Sequence, residues 1–327
     1  MTRTTTRPSG ASANPAELAQ RIRSQEPSAI GVALTAVERR DRSADDLLAA
    51  LRGTEPHAHV IGITGPAGSG KSTLVARLAA NYRDDGLTVA VLAVDPSSGY
   101  SGGAILGDRI RMNALSGDTG IFIRSLATRG ATGGLSRAVF DAIKVFDAAR
   151  FDRVLVETVG VGQDEIDVMS VAQTIVVVSV PGLGDDIQAI KAGILEIADV
   201  HVVNKADRPG ADLTASEIRE SLRLASSAPD SWRPPIIRTV ATGGKGFDEL
   251  REALEEHQSW LTASGALELY ERNAATSQIR WAAVDIAMRS TQPGTTHLNE
   301  LVEGVRIGRL SPHEAAHALV SGKTQLD

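Results

Sequence analysis

The run Gly65-Pro66-Ala67-Gly68-Ser69-Gly70-Lys71-Ser72 carries the strongest chemical signal in this 327-residue chain. A glycine, four residues and then Gly-Lys-Ser follow an apolar run and precede a helical pattern. Gly65, Gly68 and Gly70 allow the backbone to curl until its N–H groups face one centre, and the helix N-terminus behind them adds unpaired donors and a favourable dipole. That geometry suits nucleotide phosphates. Ala67, Ser69 and Thr73 belong to the same cradle, Lys71 has the length to reach β- and γ-phosphates, and Ser72 offers a hydroxyl to Mg²⁺.

A metal beside such phosphates needs carboxylates at the ends of neighbouring strands, where ligands of open α/β sheets collect. Three fit. Asp95 ends the run Val89 to Val94, Glu157 ends Val154-Leu155-Val156, and Asp108 lies in a long loop that begins Pro96-Ser97-Ser98-Gly99. The alternative for Asp95 and Glu157 is a strand-end cap or salt-bridge partner, and for Asp108 an acid at a helix N-terminus; the metal role is the favoured reading for all three. Glu157-Thr158-Val159-Gly160 stands where many GTPases carry Asp, two residues and Gly, so the Gly160 N–H is the candidate sensor of a γ-phosphate.

Asn204-Lys205-Ala206-Asp207 follows the apolar strand pattern Val200 to Val203, at a rim where a base could lie. A carboxylate at Asp207 accepts from guanine N1–H and N2–H₂ together, whereas adenine offers an acceptor at N1 and no amine at C2. At about 1.5–3 kcal/mol for each charge-assisted bond, losing two gives a preference of roughly 10²–10⁴ for GTP over ATP. Lys205 would lay its stem along the base, and Asn204 would tie this loop to the phosphate loop.

The elements that must position these groups are legible as alternation. Runs at His59 to Thr64, Thr88 to Val94, Ile121 to Ser125, Arg153 to Thr158, Thr174 to Val180, Val200 to Asn204 and Ile236 to Val240 have strand length. Between them lie amphipathic stretches at Lys71 to Asp85, Leu135 to Ala149, Asp186 to Ile197, Leu213 to Leu224 and Gly246 to His257. The pattern predicts an α/β fold, a mainly parallel P-loop NTPase sheet with helices on both faces. Residues 16–56 read as an N-terminal helical extension, 57–259 as the nucleotide-binding domain, and 260–327 as a C-terminal helical arm.

Composition narrows the class. Hydrophobic residues make up 42% but aromatics only 3%, so the core rests on Val, Ile, Leu and Ala, as buried parallel strands require. A formal charge of -6 and the lack of a long basic block argue against a nucleic-acid partner. The chain has no cysteine, which excludes disulfides and thiolate metal sites. No apolar run approaches the ~20 residues a membrane helix needs. Residues 1–15 hold Arg3, Arg7 and several hydroxyl residues without an acid, as a transit peptide would, but Pro8, Gly10 and Pro15 interrupt any amphipathic helix. The reading is a disordered tail on a cytoplasmic, bacterial protein, with the mitochondrial matrix as the alternative if the tail is a transit peptide.

These motifs and the segments between them resemble the MeaB/ArgK/MMAA family of GTPase chaperones for adenosylcobalamin-dependent acyl-CoA mutases. The carriers are Val94-Asp95-Pro96-Ser97-Ser98, Ser101 to Arg109, Val156 to Gln163 and Pro181 to Gln188, within a likeness from about Ala29 to Gly265. The resemblance implies a homodimer that hydrolyses GTP with Mg²⁺ and gates cofactor delivery to a mutase such as methylmalonyl-CoA mutase, the cobalamin being bound by the mutase. It implies nucleotide and metal roles for Lys71, Ser72, Asp95, Asp108 and Glu157. Gly182 to Lys191, with Gly184, Asp185, Asp186 and Gln188, resembles a switch that relays nucleotide state to the partner. Gln163, three residues past Gly160, is a candidate to activate water. Relatives carry Ser-Ala where this chain has Val240-Ala241; the backbone N–H at Ala241 keeps the role of reading guanine O6. Some relatives have been read as ATP-using kinases of amino-acid transport systems, and that is the alternative function.

His313-Glu314-Ala315-Ala316-His317 fits a zinc-helix pattern. A catalytic zinc needs a third protein ligand, and the residues after His317 contain no His, Glu or Cys. Ser311, Pro312 and Glu314 instead spell a helix start with a capping box.

Overall fold

The computed structural model describes residues 14–39, 42–95, 117–127, 134–158, 170–182, 195–224, 231–290 and 296–321. Among these residues seven strands form one parallel sheet: β1 His59–Thr64, β2 Val89–Asp95, β3 Ile121–Ala127, β4 Arg153–Thr158, β5 Thr174–Ser179, β6 Val200–Asn204 and β7 Ile236–Thr239. Their order across the sheet is β3-β2-β4-β1-β5-β6-β7. The sheet is wound in both directions from β1, so the loop after β1 emerges at the crevice where ligands of doubly wound folds bind. The α/β reading of the sequence holds.

Both faces of the sheet are covered because the strands are apolar on both sides. On one face Ile61, Ile63, Val176, Val178, Val200 and Val202 pack against helix α4 (Lys71–Asp84) through Leu74, Leu78 and Tyr82. Helix α7 (Phe247–Ser264) completes that layer with Phe247, Leu250 and Leu254. On the other face α6 (Ala211–Leu224) covers Val203 with Ala211, Ala215 and Ile218. Helix α5 (Gly134–Ala148) supplies Phe146, which packs in tilted and edge-on contact between Phe122 and Phe151.

The N-terminal helices are α1 Pro15–Arg23, α2 Pro27–Arg39 and α3 Arg42–Ala50. Asn14 caps α1 by accepting from Ala16 N at 3.0 Å. Ile22, Ile30, Leu34 and Leu47 are fully buried, so this extension shares the core of the sheet domain. Arg124 of β3 donates to Glu38 of α2 at 2.5 Å, and Arg137 of α5 to Asp45 of α3 at 3.3 Å.

A chain of buried polar side chains crosses the lower end of the sheet, away from the phosphate loop. His59 Nε2 and Thr174 Oγ1 are 2.7 Å apart, Thr174 Oγ1 and His257 Nδ1 2.8 Å, and His257 Nε2 and Asp199 Oδ1 3.3 Å. Asp199 also accepts from Ile175 N at 2.8 Å, and Trp232 Nε1 donates to the Asp199 carbonyl at 2.7 Å. Burial lowers the His59 imidazole to about 3, so it is neutral and free to donate from Nε2 to Thr174. Trp232 and Trp260 pack against the His257 ring and against each other.

Contacts divide the chain into two compact units, Met1–Tyr270 and Glu271–Asp327. Leu261 and the Tyr270 hydroxyl, which donates to the Val171 carbonyl at 2.5 Å, belong to the first unit. The second contains α8 (Ala266–Ser290) from Glu271 onward, then α9 (Thr296–Arg306) and α10 (Pro312–Ser321). Leu301, Ala315 and Ala318 form its small core. Ile279, Val284, Ile286 and Met288 of α8 are exposed. Among the described residues no helix is long and apolar enough to cross a membrane.

Candidate nucleotide site

The phosphate loop spans the gap between β1 and α4, and two glycines explain its shape. Gly65 has φ +144°, and a Cβ there would meet the Val178 carbonyl oxygen of β5 at 2.2 Å. Gly70 has φ +90°, with its missing Cβ position 2.5 Å from Asn204 Nδ2. Only glycine allows the loop to lie this close to β5 and β6. Lys71 begins α4, and its Nζ donates to the carbonyls of Gly65 (2.7 Å) and Pro66 (3.1 Å). This places the ammonium over the loop that the sequence assigns to phosphate. Ser69 is fully buried, and its hydroxyl has no hydrogen-bond partner among the described residues.

At the tip of β4, Glu157 accepts from Ser72 Oγ at 2.6 Å, with both side chains buried. Strand register accounts for the meeting: Ile63 of β1 lies opposite Glu157, so the carboxylate emerges beside the first turn of α4. A hydroxyl and a carboxylate side by side form a hard-oxygen pair of the type Mg²⁺ selects. The next residue, Thr158, donates from Oγ1 to Thr64 Oγ1 at 3.1 Å. Asp95 closes β2 one strand away, where Val94 lies opposite Thr158; its side chain is outside the described residues, as are Asp108, Gly160, Gln163, Gly184, Asp185, Asp186, Gln188 and Lys191. Gly182 is described, with φ +87° just beyond β5.

The base-reading loop is bound to the phosphate loop through side chains. Asn204 Nδ2 donates to Ser69 O at 2.8 Å, and Lys205 Nζ to Gly68 O at 2.7 Å. Asn204 Oδ1 accepts from Thr239 Oγ1 and from Ala241 N, each at 3.2 Å. One amide thus joins β6, the phosphate loop and the turn after β7. The Ala241 N–H is directed at Asn204 here, so reading a guanine O6 requires that long bond to be shared or exchanged. Asp207 is exposed and lines a surface cavity of about 440 Å³ together with Val240, Lys245 and Glu249.

Thr64, Thr158 and Thr239 were not singled out by motif spacing. A threonine within a β-run reads as strand propensity, and only the register of neighbouring strands turns these into side-chain contacts.

The zinc-like motif of α10 is a helix cap. Ser311 Oγ accepts from Glu314 N at 3.2 Å, while Glu314 Oε2 accepts from Ser311 N at 2.8 Å. Those bonds hold the Glu314 carboxyl below its usual range and occupy the group that the metalloprotease pattern would use as base.

Comparison with known proteins agrees with this geometry. The family model described as methylmalonyl Co-A mutase-associated GTPase MeaB matches residues 30–293. A Pyrococcus horikoshii protein provisionally described as a GTPase is 45% identical over 302 residues, covering 92% of this chain and 95% of its own. The mouse mitochondrial protein described as the methylmalonic aciduria type A homolog is 35% identical, over 81% of this chain and 66% of its own. A crystal structure described as LAO/AO transport system kinase superposes with a TM-score of 0.71 at 26% identity, over 96% of this chain and 98% of that one. With its phosphate loop, guanine motif and family match together, the chain belongs to the MeaB family and is a guanine-nucleotide-binding GTPase.

Proposed function

We propose that this GTPase uses Mg²⁺ and works as a chaperone that gates adenosylcobalamin loading, protection and reactivation of an acyl-CoA mutase, methylmalonyl-CoA mutase or a close relative. The family description and the mouse relative's name support the mutase. The observation that carries the chemistry is the buried Ser72–Glu157 pair beside Lys71. Ser72 and Glu157 would hold the metal, Glu157 directly or through water, with Asp95 and Asp108 as the remaining acidic candidates. When bound, the metal supplies charge neutralisation at the β- and γ-phosphates.

The residues of the chain do the rest. Lys71 exchanges its two loop carbonyls for phosphate oxygens, a stronger charge-assisted contact. Asp207 accepts from the guanine edge, and the Asn204 and Lys205 bonds keep the base loop in register with the phosphate loop. Gly160 reports the γ-phosphate, Gln163 orients water, and Gly182 to Lys191 carries the state to the mutase. A homodimer forms through the C-terminal helices, whose α8 exposes Ile279, Ile286 and Met288. Cobalamin stays on the mutase.

The test is copurification with a panel of acyl-CoA mutases, followed by GTP hydrolysis with and without each. Tight association and a change in turnover with one mutase are expected; unchanged GTPase activity and nucleotide affinity with all of them would overturn the chaperone role. The kinase reading echoes the description of the superposed structure. It predicts preference for ATP and transfer of labelled γ-phosphate to a protein before water, whereas Asp207 predicts GTP.

A further inference from the structure

We propose that Thr64 and Thr158 form a positioning pair for GTP hydrolysis, a hydroxyl clasp that fixes the tip of β4, and with it Glu157, against the phosphate loop. This rests on the reading of Glu157 as the carboxylate facing the metal and γ-phosphate.

Residues 157 and 158 point to opposite faces of the sheet, as successive strand residues must. Glu157 reaches the α4 face and holds Ser72 at 2.6 Å; Thr158 reaches the other face and holds Thr64 at 3.1 Å. Thr64 is the last residue of β1, directly before Gly65, whose carbonyl receives Lys71 Nζ at 2.7 Å. The tip of β4 is therefore tied to the β1–α4 segment on both faces, through two consecutive side chains. With one tie removed, the ladder that pairs Glu157 with Ile63 and Thr158 with Val94 still holds the tip, so the change is confined to its fine alignment.

Both threonines are 2% exposed or less. On the same face β4 carries Val154 and Val156, and valine would fill position 158 without burying a hydroxyl. The bond that Thr158 Oγ1 donates to Thr64 Oγ1 is kept only if the two strand tips stay in register, so it is sensitive to small displacements of either tip. Turnover has the same sensitivity, since a carboxylate misplaced by less than an ångström loses its alignment with the reacting phosphate while the rest of the nucleotide contacts persist.

The experiment measures steady-state GTP hydrolysis of the full chain, normalised to bound nucleotide so that a folding defect does not enter. Thr158→Val is expected to lower kcat by about 3–10-fold with KM for GTP within about twofold. Thr158→Ser, which keeps the hydroxyl, is expected to restore kcat to within about twofold of the parent. Thr64→Val is expected to lower kcat at least as much as Thr158→Val, and the double variant to be no worse than Thr64→Val alone, because the shared bond is lost only once. Parental kcat in Thr158→Val, equal loss in Thr158→Ser, or additive loss in the double variant would overturn the clasp. Glu157→Gln separates the two readings. If it keeps parental turnover, the reading of Glu157 itself fails; if it is inactive while Thr158→Val is unaffected, only the clasp fails.

Discussion

Thr174 offers a clean test of how much a buried polar chain contributes to this fold. Its hydroxyl lies between His59 Nε2 and His257 Nδ1, at 2.7 and 2.8 Å, and the residue is fully buried. Thr174→Val preserves shape and removes both bonds at once. His59 loses an acceptor and His257 a donor, and neither ring can reach water. At about 1–3 kcal/mol for each stranded group, the loss is about 3 kcal/mol toward the lower part of the range, because small shifts relieve part of it. For a unit of this size that corresponds to a Tm decrease of about 6–12 °C. The site lies at the start of β5, roughly 17 Å of strand from the phosphate end, so turnover per folded molecule should stay parental at low temperature. Thermal unfolding followed by tryptophan fluorescence is suited to the purpose, since Trp232 and Trp260 pack on His257. Scans without added nucleotide avoid stabilisation by binding. Thr174→Ser should retain most of the stability. A Tm within about 2 °C of the parent for Thr174→Val would refute the assignment of net stabilisation to this chain.

Three further outcomes follow from the same reasoning. Asp207→Ala should reduce discrimination between GTP and ATP by about 10²-fold or more, read as the ratio of their dissociation constants, because the charged acceptor for two guanine donors is gone. Gly65→Ala should abolish nucleotide binding in an isothermal titration: its Cβ would stand 2.2 Å from the Val178 carbonyl oxygen, so the loop must leave β5; retained binding would mean that the loop tolerates a shift. Acid should destabilise the protein through His201, which burial lowers to about 4. For a group with a depressed folded value the stability is present above the unfolded value of about 6.5 and is lost as pH falls, about 2 kcal/mol from this histidine between about pH 7 and 5. His201→Leu should remove that contribution of about 2 kcal/mol from the pH dependence of urea unfolding, and an unchanged pH dependence would show that His201 does not contribute it.

Much of this architecture was legible because parallel strands buried on both faces must be apolar runs of strand length. The runs at 59–64, 153–158 and 200–204 coincide with β1, β4 and β6. Helix ends were less legible: α7 was expected to stop at His257 but continues to Ser264, since Leu261 remains buried and the terminating signal is Gly265 at φ +76°. The polar chain could not be read at all, as His59 and Thr174 are 115 positions apart and Thr174 and His257 83 apart. No local pattern distinguishes a histidine at a strand start from one that faces solvent.

The site divides in the same way. Residues read as touching a ligand with their backbone or with a fixed charge appear as motifs, because a ligand would impose their spacing: Gly65 to Ser72 and Asn204 to Asp207 are of this kind. Residues that hold those motifs to one another answer only to the fold. Asn204 reaches Ser69 across 135 positions, and Thr158 reaches Thr64 across 94. These contacts decide what the motifs can do together. Through Asn204 the base loop, the phosphate loop and the turn after β7 form one connected body, so a base that displaces Asn204 must also disturb Ser69 and Gly70. A base read by this loop would therefore be mechanically connected to the Gly65 to Ser72 loop, and Ser72–Glu157 on the far side of that loop connects it in turn to β4.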